Sequence, residues 1–519
     1  MSNRFRARLV AAMVTTGLAG ILVAGSGAQA KAETLAEAIA MAYRNNPNLE
    51  AQRATQRALD ETYVQARSGW RPTLTASASA TYSESRGRRR VPYLANYDET
   101  NSATIGLTFN QPLWTGGRVA AAVTAANADV LSGQESLRRV EAQVMAAVIA
   151  AYADVRRDTA ALEIQRQNLA TLQRQLDESN ARFTVGELTR TDVALSQARL
   201  SASQAQLSSA QAQLEVSRAN YAALVGQNPG DLAGEPSLSY LMPATPEEAF
   251  EVAEKFSPLL RAQQFAEEAS RARVVQARAD RNPSLSVSAT YGHTGPADPF
   301  ERGLYDREVV GRATVTVPLF TGGLTTSRIR QQIERNNADR ITVETQRRSV
   351  LQTVTQTWNL LTAARANIIA TAEQVRAARI ATEGTRQELQ VGLRTTLDVL
   401  NTEQERRAAE LNQVTARRDE YVASANLLAA MGRLEARNLT PDVPQYDAKA
   451  NFRRLRVTWG WVPWEEPLGV IDRLLSPSPL MTVRSRAVEP SIGPGLQAAP
   501  GATAPIEAPP KAAGDPPAN

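Results

Sequence analysis

The chain repeats itself. Gln111-Pro112-Leu113-Trp114-Thr115-Gly116-Gly117 returns 206 residues later as Val317-Pro318-Leu319-Phe320-Thr321-Gly322-Gly323. Val185-Gly186-Glu187-Leu188-Thr189-Arg190-Thr191-Asp192-Val193 returns at the same offset as Val391-Gly392-Leu393-Arg394-Thr395-Thr396-Leu397-Asp398-Val399. Upstream the offset is 211: Thr34…Glu37 recurs as Thr245…Glu248, Pro47 as Pro258 and Pro72 as Pro283. The change places a five-residue insertion between Pro72 and Pro112, read here as extra length in a strand-connecting loop, where length costs little. Repeats this long mean two copies of one structural unit, each unable to bury its apolar surfaces alone.

Residues 1–30 read as a secretory signal. Arg4, Arg6 and Arg8 precede an apolar run from Leu9 to Val23, and Ala28-Gln29-Ala30 is a small-x-small cleavage site. Losing those three arginines lowers Lys+Arg from 58 to 55 against 53 Asp+Glu, so the net charge falls from +5 to +2. The basic balance is then no sign of a nucleic-acid partner. Zero cysteines exclude a disulfide framework, a thiol nucleophile and a lipid carried on cysteine. The single histidine, His293, leaves little for a His-based triad or metal site and is expected at a solvated strand end. No later stretch approaches the length of a transmembrane helix, so an exported chain is periplasmic, secreted or a β-barrel.

Within each copy the pattern changes period. Thr34-Leu-Ala-Glu37 opens a helix with a capping-box pattern, and helical composition continues past Pro47 to about Ser68. After Pro72, Leu74, Ala76, Ala78, Ala80 and Tyr82 alternate with Ser and Thr. A polar loop holding Arg86, Arg88, Arg89 and Arg90 follows, then a second alternating run through Ala103, Ile105, Leu107 and Phe109. The copy repeats this at Leu285…Tyr291 and Ala313…Leu319. These are four strands in two hairpins, about 10 residues each, as a tilted membrane-spanning strand requires. Trp70 and Trp114 flank the first hairpin where an aromatic girdle sits. Four strands cannot close a barrel, and open edges are not tolerated in lipid, so several chains must share one barrel.

Beyond each Thr-Gly-Gly lies a proline-free helical stretch, Arg118 to about Phe183 and Leu324 to about Leu389. Leu162, Leu169, Leu176 and Phe183 recur every seventh residue, as do Val193, Leu200, Leu207, Leu214 and Tyr221 on the returning helix. In the copy the returning stripe is Leu400, Val414, Tyr421 and Leu428, broken by Arg407. Narrow stripes among Ala, Ser, Thr and Gln predict a coiled-coil wall. The expected division is 1–30 signal, 31–230 first repeat, 231–435 second repeat, 436–475 a C-terminal segment with the aromatic cluster Trp459-Gly460-Trp461-Val462-Pro463-Trp464, and 476–519 a disordered Pro/Ala-rich tail.

These residues, in this order and twice over, resemble the TolC family of outer-membrane channels. The marks are Thr34-Leu-Ala-Glu-Ala-Ile39, Asn46-Pro47, Arg71-Pro72, Gln111…Gly117 and the two Val-Gly…Asp-Val segments, across about residues 33–435. The resemblance implies an α+β fold: a trimeric 12-stranded outer-membrane β-barrel, four strands per chain, continuous with a long periplasmic α-helical coiled-coil barrel, with an equatorial layer of shorter helices. It implies a passive duct for type I protein secretion or multidrug efflux, nearer the TolC-like branch than the lipoprotein branch. It implies a homotrimer docked with a periplasmic adaptor and an inner-membrane pump of the ABC, RND or MFS class, with outer-membrane lipid around the barrel.

No enzyme, cofactor or metal is expected. The Thr-Gly-Gly segments lack the Gly-Lys-Ser/Thr of a phosphate loop, so Gly116, Gly117, Gly322 and Gly323 read as strand-to-helix turns. In the family the hairpin tips form the periplasmic entrance, shut by polar contacts. Thr191 and Asp192 match residues that supply them, Arg394 the opposing arginine and Asp398 an entrance acid. Gln390 stands where the best-known members carry tyrosine, and Asn401 where they carry a second acid. A constriction with fewer carboxylates attracts cations less strongly. Thr189…Asp192 and Thr395…Asp398 also fit capping boxes, so these aspartates serve a helix start, a gate or both. The rival reading is an exported coiled-coil scaffold or adhesin without a pore; an exported hydrolase lacks any catalytic constellation.

Overall fold

The computed structural model describes residues 32–87, 96–297, 304–441, 443–455, 457–458 and 460–475. The expected signal 1–30, the loop arginines Arg88, Arg89 and Arg90, Trp459 and the tail from Ser476 lie outside them. The first repeat holds α1 (Leu35–Asn45), α2 (Pro47–Arg67), β1 (Thr73–Gly87), β2 (Asn96–Trp114), α3 (Arg118–Thr184) and α4 (Arg190–Val225). The second holds α5 (Pro246–Phe256), α6 (Pro258–Ala279), β3 (Ser284–Pro296), β4 (Asp306–Thr316), α7 (Leu324–Gln390) and α8 (Thr396–Ala430). Three short helices follow: α9 (Ala436–Leu439), α10 (Ala448–Arg454) and α11 (Glu465–Leu474).

The helix expected to run through Pro47 is two helices. Proline has no N–H to continue the ladder and is well placed at a first helical position. Asn46, extended, ends α1 and caps α2: its Oδ1 accepts from Asn48 N at 3.0 Å, and its Nδ2 donates to Leu224 O at 3.0 Å. Ser257-Pro258 divides α5 from α6 at the corresponding proline, although the Ser257 side chain makes no cap hydrogen bond. The capping box at Thr34 is formed, with Thr34 N donating to Glu37 Oε2 at 2.8 Å.

The strands form one antiparallel sheet in the order β1-β2-β3-β4. Registers set like against like: Leu74 opposes Phe109, Leu107 opposes both Ala76 and Tyr291, and Tyr291 opposes Val309. On the other face Thr104 and Thr108 meet Thr294 and Thr290 through their hydroxyls. Among the described residues nothing covers the apolar face, and both edge strands are open. The extra residues of the first hairpin are mostly strand and not loop. β1 continues two residues beyond the position where β3 stops, and β2 begins four residues earlier relative to its proline than β4 does. Paired residues there run from Tyr82↔Asn101 to Gly87↔Asn96, so the added length is held in a ladder. His293 stands near the end of β3, on the apolar face between Ile105 and Arg307, its Nε2 3.4 Å from Tyr291 Oη.

α3 and α7 are 67 residues each, which at ~1.5 Å per residue is about 100 Å. Each returns through α4 or α8 as an antiparallel hairpin. The expected stripe is inside: Leu172, Leu176, Leu200 and Leu400 form one cluster, while Phe183 is exposed near the tip. The hairpins are zipped differently. The first uses small groups, Asn168 Nδ2 to Ser203 Oγ at 2.8 Å and Ser179 to Ser196 at 3.2 Å. The second uses charge pairs between α7 and α8, Arg386 to Glu403 at 2.8 Å and Arg379 to Glu410 at 3.1 Å.

The largest core surrounds the middle of α3. There Tyr152 Oη donates to Glu33 O and Ala233 O, and Tyr221 Oη donates to Glu33 Oε1 at 2.6 Å. Glu141 faces the same region and accepts from Ala436 N at 2.9 Å. Burial, with nearby Glu435 adding to it, pushes the Glu141 carboxyl above its usual range. A carboxyl raised in the folded state costs stability once ionised: the cost is absent below the unfolded value and full above the folded one. Glu141→Gln keeps an oxygen for Ala436. It is expected to raise the unfolding temperature of detergent-solubilised protein in alkaline buffer and leave it unchanged in acid below the carboxylate range. An equal shift in both buffers would contradict this assignment.

Candidate functional site at the hairpin tips and the strand-to-helix junction

Both tips are built alike. Gly186 and Gly392, at φ 83° and 78°, let the chain leave α3 and α7 through a left-handed turn. Thr189 and Thr395 then open the returning helices, and their hydroxyls accept from Asp192 N and Asp398 N at 3.3 Å. In return Asp192 Oδ2 and Asp398 Oδ2 each accept from the threonine N–H at 3.0 Å. Within the chain both aspartates are therefore helix caps. The threonine hydroxyl and N–H hold each carboxyl below its ordinary range, so capping weakens as pH falls through the carboxylate range.

The remaining tip residues separate. Arg394 Nε donates to Glu388 Oε2 at 2.8 Å across its own tip, and the chain does not join it to Thr191 or Asp192. Thr191 and Gln390 are exposed. Asn401 lies in the seam between α4 and α8, where Arg199 donates to Asn401 Oδ1 at 3.3 Å and to Gln404 Oε1 at 2.5 Å. Arg407, whose place in the heptad stripe was the only signal, donates to Gln206 Oε1 at 2.7 Å across the same seam. Burial and the charge of Arg199 lower the Arg407 guanidinium pKa. The seam thus couples the two hairpins through arginine-to-amide bonds.

At the other end, Gly116 and Gly117 (φ 65° and 87°) and Gly322 and Gly323 (φ 60° and 84°) turn strand into helix. The first turn is closed over. A methyl built on Gly116 meets Asn282 Cβ at 2.6 Å and Pro283 O at 2.9 Å, whereas one on Gly322 meets nothing within 4 Å. Asp472 of α11, fully buried, accepts from Thr115 N at 2.9 Å, Thr115 Oγ1 at 2.8 Å, Gly117 N at 3.0 Å, Ala120 N at 3.2 Å and Trp70 Nε1 at 3.2 Å. A carboxylate at the start of a long helix answers its unpaired N–H groups and its dipole. Beside it the buried Glu465 bridges Arg67 and Arg71 at 2.5 and 2.9 Å. Trp70 is accordingly packed inward against Val119, Val123 and Gly469 and takes no part in a girdle. None of this was visible in the repeat pattern, because α11 has no copy.

The family model described as outer membrane efflux protein matches residues 38–227 and 250–433. The chain belongs to the outer membrane efflux protein family. The outer membrane efflux protein BepC of Brucella suis is 33% identical over 444 residues, covering 85% of this chain and 95% of BepC. The alkaline protease secretion protein AprF of Pseudomonas aeruginosa is 27% identical over 319 residues, 60% of this chain and 66% of AprF. In fold, the crystal structure of VceC from Vibrio cholerae is similar with a TM-score of 0.64 at 22% identity, covering 77% of this chain and 96% of VceC. The chain is therefore an outer-membrane efflux channel and not an enzyme. The poreless scaffold reading falls. α11 lies beyond the residues the family model matches.

Asp472→Ala strands five donors in a buried site. Breaking such a charged network costs about 3–5 kcal/mol. The expected result is a lower unfolding midpoint, with Trp70 emission shifted to the red as its indole meets water; an unchanged midpoint would show that α11 is not holding this junction.

Proposed function

We propose that the chain works as a homotrimer, each copy giving four strands to a 12-stranded barrel and two helix hairpins to a periplasmic tunnel. The observation that carries this is the open sheet. Among the described residues its edges β1 and β4 are unpaired and its apolar face is exposed, and it is attached to helices about 100 Å long. In hydrocarbon every backbone polar group must be paired, and four strands are too few to pair them alone. Removal of residues 1–30 on export and a sequence division at about 230 and 435 belong to the same reading.

The tunnel is a passive duct, and the similarity to an efflux protein and to a protease secretion protein supports export of small molecules or proteins. The tips receive a periplasmic adaptor, and an inner-membrane pump of the ABC, RND or MFS class supplies energy. In the closed state Arg394 exchanges Glu388 of its own tip for Thr191 or Asp192 of a neighbouring tip, with Gln390 and Asp398 lining the same constriction and Asn401 behind it. Gly116, Gly117, Gly322 and Gly323 set the angle at which helices leave the barrel.

Two measurements test the proposal. Unheated samples are expected to run as trimers on denaturing gels and to form pores in planar bilayers; monomers without pores would reject it. Arg394→Ala is expected to raise resting single-channel conductance several-fold, while Glu388→Ala, which frees Arg394 for its neighbour, lowers it. Identical conductance in both variants would remove Arg394 from the gate.

A further inference from the structure

α11 is inside out for a helix of a water-soluble surface. Its buried face carries two acids beside Leu468 and Gly469, with Glu465 and Asp472 both 0% exposed. Its outward face is apolar: Val470 is 52% exposed, Ile471 43% and Leu474 77%, followed by Leu475 at 59%. Trp461 and Trp464, just before the helix, are 39% and 47% exposed. The acids are satisfied by Arg67, Arg71, Trp70 and the first strand-to-helix turn, so the outward face is apolar because of how the helix is docked.

Where that face lies decides its partner. Trp464 Nε1 donates to Gln111 Oε1 at 3.1 Å, and Gln111 Nε2 donates to Trp70 O at 2.9 Å. By strand alternation Gln111 shares a face with Ile105, Leu107 and Phe109, the apolar face of the sheet. Leu74, 68% exposed, begins the apolar band of β1 only four residues after Trp70. Trp464 thus ties the start of α11 to the lower rim of the apolar sheet face.

We propose that α11 and the two tryptophans before it rest in the interfacial zone of the periplasmic leaflet, so that the chain contacts lipid headgroups and upper acyl chains with a segment outside its barrel strands. A helix with one polar and one apolar face lies in the plane of the interface, and tryptophan is enriched at that depth. Glu466 and Arg473 flank the apolar strip at the level of the headgroups. The aromatic girdle sought at Trp70 and Trp114 is on this reading supplied by Trp461 and Trp464. The inference rests on the sheet spanning the membrane.

The absence of native cysteine makes the test clean. Full-length Ile471→Cys, Leu474→Cys, Leu107→Cys and Leu188→Cys, each carrying an environment-sensitive fluorophore, are reconstituted in phospholipid vesicles. Quenching is compared between a lipid with a nitroxide near the headgroup end of its chain and aqueous iodide. Labels at 471 and 474 are expected to lose fluorescence to the nitroxide lipid, as at 107, while 188 at the first tip responds to iodide alone. If 107 responds to lipid but 471 and 474 respond only to iodide, α11 faces water and this inference is overturned. If neither quencher reaches them, a neighbouring subunit covers the helix and it is equally overturned. A label at 107 deaf to lipid would reject the membrane span itself.

Discussion

An open sheet edge in hydrocarbon is a row of amides with nothing to bind, and most of this structure is arranged around that fact. Four strands per chain leave two such edges. The requirement for neighbours follows from backbone chemistry before any side chain is considered. Side chains then set the orientation: Leu74, Leu107, Phe109 and Tyr291 form one continuous apolar face, and threonine hydroxyl pairs occupy the other. The helices inherit their direction from the strands through two glycine turns, so the geometry of the duct is decided where β2 meets α3 and β4 meets α7.

Those two turns are chemically alike and environmentally opposite. The first is roofed by Asn282-Pro283 and capped by Asp472; the second presents Leu319, Phe320 and Gly322 to its surroundings. Duplication produced two equivalent surfaces, and one chain covers only the first. The hairpins diverge as well. The first is held by serine and asparagine contacts that screening ions do not affect. The second is held by arginines of α7 and glutamates of α8 whose attraction weakens with ionic strength. Two walls of one tunnel therefore respond differently to salt.

Much of the architecture was legible because it is periodic or doubled. The ends expected for the long helices, about Phe183 and Leu389, lie within one residue of Thr184 and Gln390, since Val-Gly at 185–186 and 391–392 is an unambiguous stop. The alternation of Leu74 to Tyr82 and Ala103 to Phe109 likewise became paired strands. What failed was local or remote. The break at Asn46 was missed because the flanking composition is helical on both sides, although Pro47 signalled it. The inserted residues became strand because Tyr82 and beyond can pair as well as loop. The tip pairing of Arg394 with Glu388 depends on side-chain reach across a turn. The contact of Asp472 with Thr115 spans 357 residues and has no second copy, so no pattern in the chain announces it.

That last separation carries a temporal consequence. Thr115, Gly117 and Trp70 belong to the first quarter of the chain, and the carboxylate that satisfies them belongs to its closing tenth. Whenever the first hairpin and the start of α3 form, their shared corner is completed only when the closing segment docks and brings Asp472 to it. Until then the strand-to-helix corner is a set of unanswered donors with no fixed angle. The last segment made acts as the latch on the first corner built, and a chain released early has a tunnel wall hinged loosely to its barrel strands.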